Sequence, residues 1–148
     1  MYEVLLKIIK IPTFLTIVSG VSVYVIGQII LETVIKPRKK LKELKGQIIF
    51  ILTLYANLLA NPYNNKRKSD DEIRNNYENA AKEIRKTASE LSGHLGAYPI
   101  ICNKNRYFDV INNLIGLSNG LFETSPEINT IKENRKCVNS INKTLKIK

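Results

Sequence analysis

Apolar residues crowd the first part of the chain and then thin into a repeating pattern. From Ile11 to Ile30 no charged residue occurs. A helix of about 20 residues crosses the roughly 30 Å hydrocarbon core of a bilayer. The run therefore predicts a transmembrane helix over residues 11–35. Residues 1–10 form a short extracytoplasmic or interfacial segment before it. There Leu5, Leu6, Ile8 and Ile9 with Lys7 and Lys10 suit a short interfacial helix, and suit a frayed start of the span equally. A cleaved signal peptide is the competing reading of such a run. No small-x-small cleavage site follows, and cations come directly after it, which favours an uncleaved signal-anchor.

Beyond residue 36 the spacing changes. Leu41, Leu44, Ile48, Ile51, Tyr55 and Leu58 recur at steps of three and four, the seam of a helix packed lengthwise against others. It starts at Pro37, a residue tolerated in a first turn, or continues the span with a kink there, and it stops at Asn61-Pro62. A second helix opens with a capping box, Ser69 and Glu72, and buries Ile73, Tyr77, Ala80, Ile84, Ala88, Leu91 and Leu95. Gly93, Gly96 and Pro99 loosen and end it. A third, from about Asn103 to Asn119, turns Phe108, Ile111, Leu114 and Ile115 inward. A fourth begins at Ser125-Pro126-Glu127, with Ile128, Ile131, Val138, Ile141 and Leu145 inside. Short loops imply antiparallel neighbours. The expected fold is all-α: one N-terminal transmembrane helix, then a four-helix up-and-down bundle over residues 36–148.

Charge orients this arrangement. Lys7 and Lys10 precede the span, whereas Lys36, Arg38, Lys39, Lys40, Lys42 and Lys45 follow it. The larger cluster should stay in the cytoplasm, with the N-terminus outside. All but two of the 23 Lys and Arg, and all but two of the 13 Asp and Glu, lie beyond residue 35, so the whole +10 excess sits there. Lys36, Arg38, Lys39 and Lys40 are placed to meet anionic lipid headgroups, at about 1 kcal/mol per cation. RNA is a weaker partner on sequence grounds, because no glycine-rich or aromatic-interleaved motif accompanies the charge. A cytosolic domain keeps Cys102 and Cys137 as thiols. Neither lies in a CxxC or beside the lone His94, so no metal site is expected.

Within the span, Thr13, Thr16, Gly20 and Gly27 fall in one narrow sector at 100° per residue. Small residues on one edge let helices approach closely in lipid. Beside them Tyr24, Gln28 and Glu32 follow at one-turn intervals. Polar groups in a span usually face protein or water, so these three are the candidate pore-lining residues of a homo-oligomer. A lone chain would instead rest Glu32 at the headgroup boundary.

No nucleophile context, phosphate loop or cofactor motif occurs, so no catalytic residue, cofactor or small-molecule substrate is assigned. The bundle resembles the HEPN ribonucleases, whose signature is an arginine followed after four to six residues by a histidine. Here Arg135 is followed at those places by Ser140, Ile141 and Asn142, and Arg85 precedes His94 by too many residues. The likeness is to a degenerate HEPN domain without ribonuclease chemistry.

The segments GQIIFILTLYANLLANP and NAAKEIRKTASELSGHLGAYPII resemble a family of small bacterial membrane proteins with one N-terminal span and a cytosolic helical domain. Together with the basic charge, the architecture resembles the membrane accessory proteins of RNA-targeting type VI CRISPR systems. That resemblance implies an oligomeric inner-membrane pore supporting antiphage defence, partnered by a CRISPR effector or RNA. The alternative is a membrane-tethered scaffold that recruits a protein or RNA partner.

Overall fold

A computed structural model of the chain describes residue 2 and residues 12–63, 71–99, 104–122 and 129–146. The expectations for residues 3–10, Ser69, Cys102, Ser125-Pro126-Glu127 and Ile128 fall outside those residues. Among the described residues the chain is helical, with one isolated bridge between Tyr63 and Phe122. It divides into two units, residues 1–38 and residues 39–148.

The first unit holds α1 (Pro12–Ile30), none of whose residues is buried. Proline opens it, where its missing N–H costs nothing. The hydroxyls along it close onto their own backbone: Thr16 donates to the Pro12 carbonyl at 2.9 Å and Ser22 to that of Val18 at 2.7 Å. The hydroxyls of Thr16, Ser19 and Ser22 are thereby satisfied without water. A helix this long and apolar is sufficient to cross a membrane. A π-helical turn follows, Leu31–Ile35, in which the Lys36 N–H reaches back to the Leu31 carbonyl. The next helix, α2 (Lys36–Leu54), follows without a break. Pro37 therefore does not start a new helix. Its ring would collide with the carbonyl four residues earlier in an α-helix, and the wider π turn just before it makes the room.

In the second unit the core is built from stripes read at steps of three and four. Leu44, Ile48, Ile51 and Leu52 are buried on α2, with Leu41, Tyr55 and Leu58 packed against them. The helix loosens at Tyr55 (φ −100°, ψ 14°) and resumes as α3 (Ala56–Ala60). Bonds from Tyr55 N–H to Ile51 (3.0 Å) and from Leu59 N–H to Tyr55 (2.9 Å) carry the ladder across. Asn61 leaves helical geometry before Pro62, as the sequence predicts. Helix α4 (Asp71–Ala97) buries Tyr77, Ala80, Ile84, Ala88, Leu91 and Leu95. Gly93 and Gly96 lie inside it, and Pro99 alone limits it. Ile73, expected inward, is exposed in its first turn.

Helix α5 (Lys104–Asn119) presents a different stripe from the expected one. Tyr107, Val110, Ile111, Leu114 and Leu117 are buried, whereas Phe108 is 48% and Ile115 40% exposed. The Phe108–Ile115 face carries Asn112 and Asn119 at helical spacing, and burying it would strand two amides. Helix α6 (Thr130–Leu145) is capped by Asn129, whose side chain accepts the Lys132 N–H at 3.0 Å. The cap thus sits downstream of the expected Ser125-Pro126 start. Asn134, not Ile131, then joins Ile141 and Leu145 inside.

Hydrogen bonds give the directions. Gln47 meets Thr87 and Tyr55 meets Glu83, so α2 and α4 run oppositely. Tyr77 packs on Phe122 while Arg85 bonds Ser118, so α4 and α5 do too. Arg106 donates to the Thr144 carbonyl at 2.8 Å while Asn134 donates to that of Gly120 at 2.8 Å, reversing α6 against α5. Asn134 also donates to the Leu59 carbonyl at 2.9 Å. One buried amide thus joins the ends of α3 and α5 to α6.

Candidate functional site

The polar stripe on the apolar helix is assembled by spacing alone. On α1, Tyr24 is 66% exposed, and Gln28 Nε2 lies 3.3 Å from its hydroxyl. One turn on, Glu32 Oε1 accepts from Lys36 Nζ. The stripe therefore runs Tyr24, Gln28, Glu32, Lys36, with one contact between the first two and one between the last two, each four residues apart. Lys36, a candidate for lipid headgroups, is paired with Glu32 while more than half of its side chain stays exposed. An exposed pair of this kind contributes about 0.3–0.5 kcal/mol in water. In hydrocarbon, where a lone carboxylate at mid-span costs roughly 2.5–3.5 kcal/mol, the partner matters far more.

Thr13, Thr16, Gly20 and Gly27 lie within about 60° of one another around α1, alongside Tyr24. A Cβ added at Gly20 or Gly27 would meet nothing within 4 Å. Among the described residues nothing fills this edge. Of the other headgroup candidates, Lys40 lies 4.0 Å from Glu43, while Arg38 and Lys39 form no ion pair among the described residues.

The residues weighed for ribonuclease chemistry sit in separate surroundings. Arg135 is exposed and borders a groove lined by Leu52, Leu59 and Val138. His94 stacks on Tyr98 with ring centroids 5.2 Å apart near the end of α4. Cys137 is a free, half-buried thiol. Burial raises its pKa, Glu133 adds to the rise and Lys136 opposes it. Among the described residues no cluster of His, Cys, Asp or Glu is placed to hold a metal ion. Tyr55 donates to Glu83 at 2.8 Å, and burial together with that carboxylate pushes its phenol up to about 12. The Tyr55–Glu83 contact leaves no sequence motif, because its partners lie 28 residues apart.

In comparison with known proteins, no family model, no curated protein and no solved structure matches the chain.

Proposed function

We propose that the chain is a single-span membrane protein that self-associates through α1 into a homo-oligomeric pore. In this reading the small-residue edge packs copy against copy. Tyr24, Gln28 and Glu32 then turn toward a shared aqueous axis, with Glu32 forming an acidic ring at the cytosolic mouth. The observation that carries it is the unbroken polar stripe beside an open glycine edge on an otherwise apolar, unburied helix. The basic flank places the helical bundle in the cytoplasm and the N-terminus outside. The family resemblance adds the bacterial inner membrane as location and CRISPR-linked antiphage defence as role. The degenerate HEPN-like bundle then gates or positions the pore without cleaving RNA.

Purified protein in planar bilayers tests the reading. Wild-type protein should conduct, and Glu32→Ala and Gly20→Leu should each reduce the conductance. Unchanged conductance in both variants rejects the pore, as does a monomeric detergent-purified particle.

A second reading, a membrane-tethered scaffold, is favoured by the pairing within the stripe. Gln28 reaches Tyr24 and Lys36 reaches Glu32 in one chain, so a lone helix can lie in lipid without a lumen. Replacing residues 12–35 with an unrelated span should leave the activity of a scaffold intact and abolish that of a pore.

A further inference from the structure

The side of the bundle where α4 meets the end of α5 carries an open groove of ≈ 820 Å³ lined by Lys82, Arg85, Lys86, Ala81, Phe122 and Asn119, among others. Among the described residues no acid pairs with its lysines or its arginine. Glu78, also on the groove, is held by Arg74 at 3.1 Å, and Glu83 accepts from Tyr55 at 2.8 Å. Both acids lie within a helical turn of the lysines, yet neither pairs with them. Glu90, one turn beyond Lys86, forms no ion pair with it either. Like charges at Lys82 and Lys86, four residues apart, disfavour the helix that carries them.

Arg85 is fixed in place by neutral acceptors. Its Nη2 donates to Asn119 Oδ1 at 2.7 Å and to Ser118 Oγ at 3.3 Å, and Nε lies 3.4 Å from the same hydroxyl. The guanidinium is thus oriented, and among the described residues no acid pairs with it. Phe122 is half-buried, and its ring is set by Tyr63 (6.0 Å, edge-on) and Tyr77 (6.4 Å). Three cations within one turn of helix, next to an oriented aromatic ring, match a ligand that is polyanionic at one end and flat at the other.

We propose that this groove binds a nucleoside phosphate, with its phosphates on Lys82, Arg85 and Lys86 and its base against Phe122. The site lies wholly within residues 39–148 and does not depend on the membrane reading.

The test uses the full chain in dodecyl maltoside, with a fluorescently labelled ATP followed by anisotropy at low salt. Saturable binding is expected, displaced by unlabelled ATP and at least about tenfold less well by tripolyphosphate, which lacks the base. Lys82→Gln combined with Lys86→Gln removes two exposed side chains that form no ion pair among the described residues, and should weaken binding at least about tenfold, since charge-assisted contacts to phosphate are lost. Lys132→Gln with Lys143→Gln removes the same charge from α6 and should leave it unchanged. Equal losses in the two double variants would show general charge attraction and overturn the site. Equal competition by tripolyphosphate overturns the base contact. Absence of ATP binding, with or without groove-dependent binding of a ribo-oligonucleotide, overturns the ligand class.

Discussion

Adding a single methyl group at Gly120 tests the joint on which the bundle closes. A Cβ built there would lie 2.0 Å from Asn134 Oδ1, 3.0 Å from its Cγ and 3.2 Å from the Gly116 carbonyl. The first distance cannot be tolerated, and Asn134, only 4% exposed, has little room to retreat. Its Nδ2 donates to the carbonyls of Leu59 and Gly120, so moving it strands two carbonyls and the amide between them. Each such loss costs about 1–3 kcal/mol. The alanine recovers about 0.4–1 kcal/mol by restricting the unfolded chain. The net destabilisation should be at least about 2 kcal/mol, a large part of the ~5–15 kcal/mol that holds a domain folded. The unfolding midpoint of the detergent-solubilised protein, followed by near-UV circular dichroism of the buried tyrosines, should fall by at least about 5 °C. Asn134→Ala removes the obstacle, so Gly120→Ala with Asn134→Ala should cost clearly less than the sum of the single changes. Wild-type stability for Gly120→Ala, or strict additivity in the pair, would refute the contact.

Glycine should behave oppositely inside α4. A Cβ at Gly93 meets nothing within 4 Å, so Gly93→Ala should stabilise by up to about 1 kcal/mol, read as a raised unfolding midpoint; a fall would reveal an unseen neighbour. Tyr55 should give a late step near pH 12 when tyrosinate absorbance is followed from pH 9 to 13, because its phenol is raised to about 12 from 10.0 by burial and by Glu83. A pKa raised in the folded state favours the protonated form. The stability Tyr55 contributes is therefore present below about pH 10 and lost as pH climbs toward 12. Glu83→Gln should advance that late step, and an unmoved titration would contradict the assignment.

Much of the fold is legible in the chain wherever one periodic stripe has no rival. The uncharged run to Ile30 and the stripes on α2 and α4 are of this kind. Where two stripes compete the reading fails: on α5, Phe108 and Ile115 look as apolar as Tyr107 and Leu117, and only the asparagines on their face decide. The start of α6 is obscured because both Ser125-Pro126 and Asn129 can begin a helix. The π turn has no composition of its own, and Pro37 reads equally as a start or a kink. Of the candidate site, Tyr24, Gln28 and Glu32 follow from spacing alone. The Glu32–Lys36 pair is legible too, as opposite charges four residues apart. The groove beside Arg85 stayed hidden because Ser118 and Asn119, which orient that guanidinium, lie more than thirty residues away.

The Asn134 joint also sets an order of events during synthesis. It ties Leu59 to a residue 75 positions later, and Ile141 and Leu145 complete the core after that. On the ribosome, α1 emerges while the partners of α2 are still untranslated. α1 is thus made before there is any bundle that could shield its apolar surface. The amide that locks the bundle follows both of the helices whose ends it joins, so closure waits until α6 has emerged.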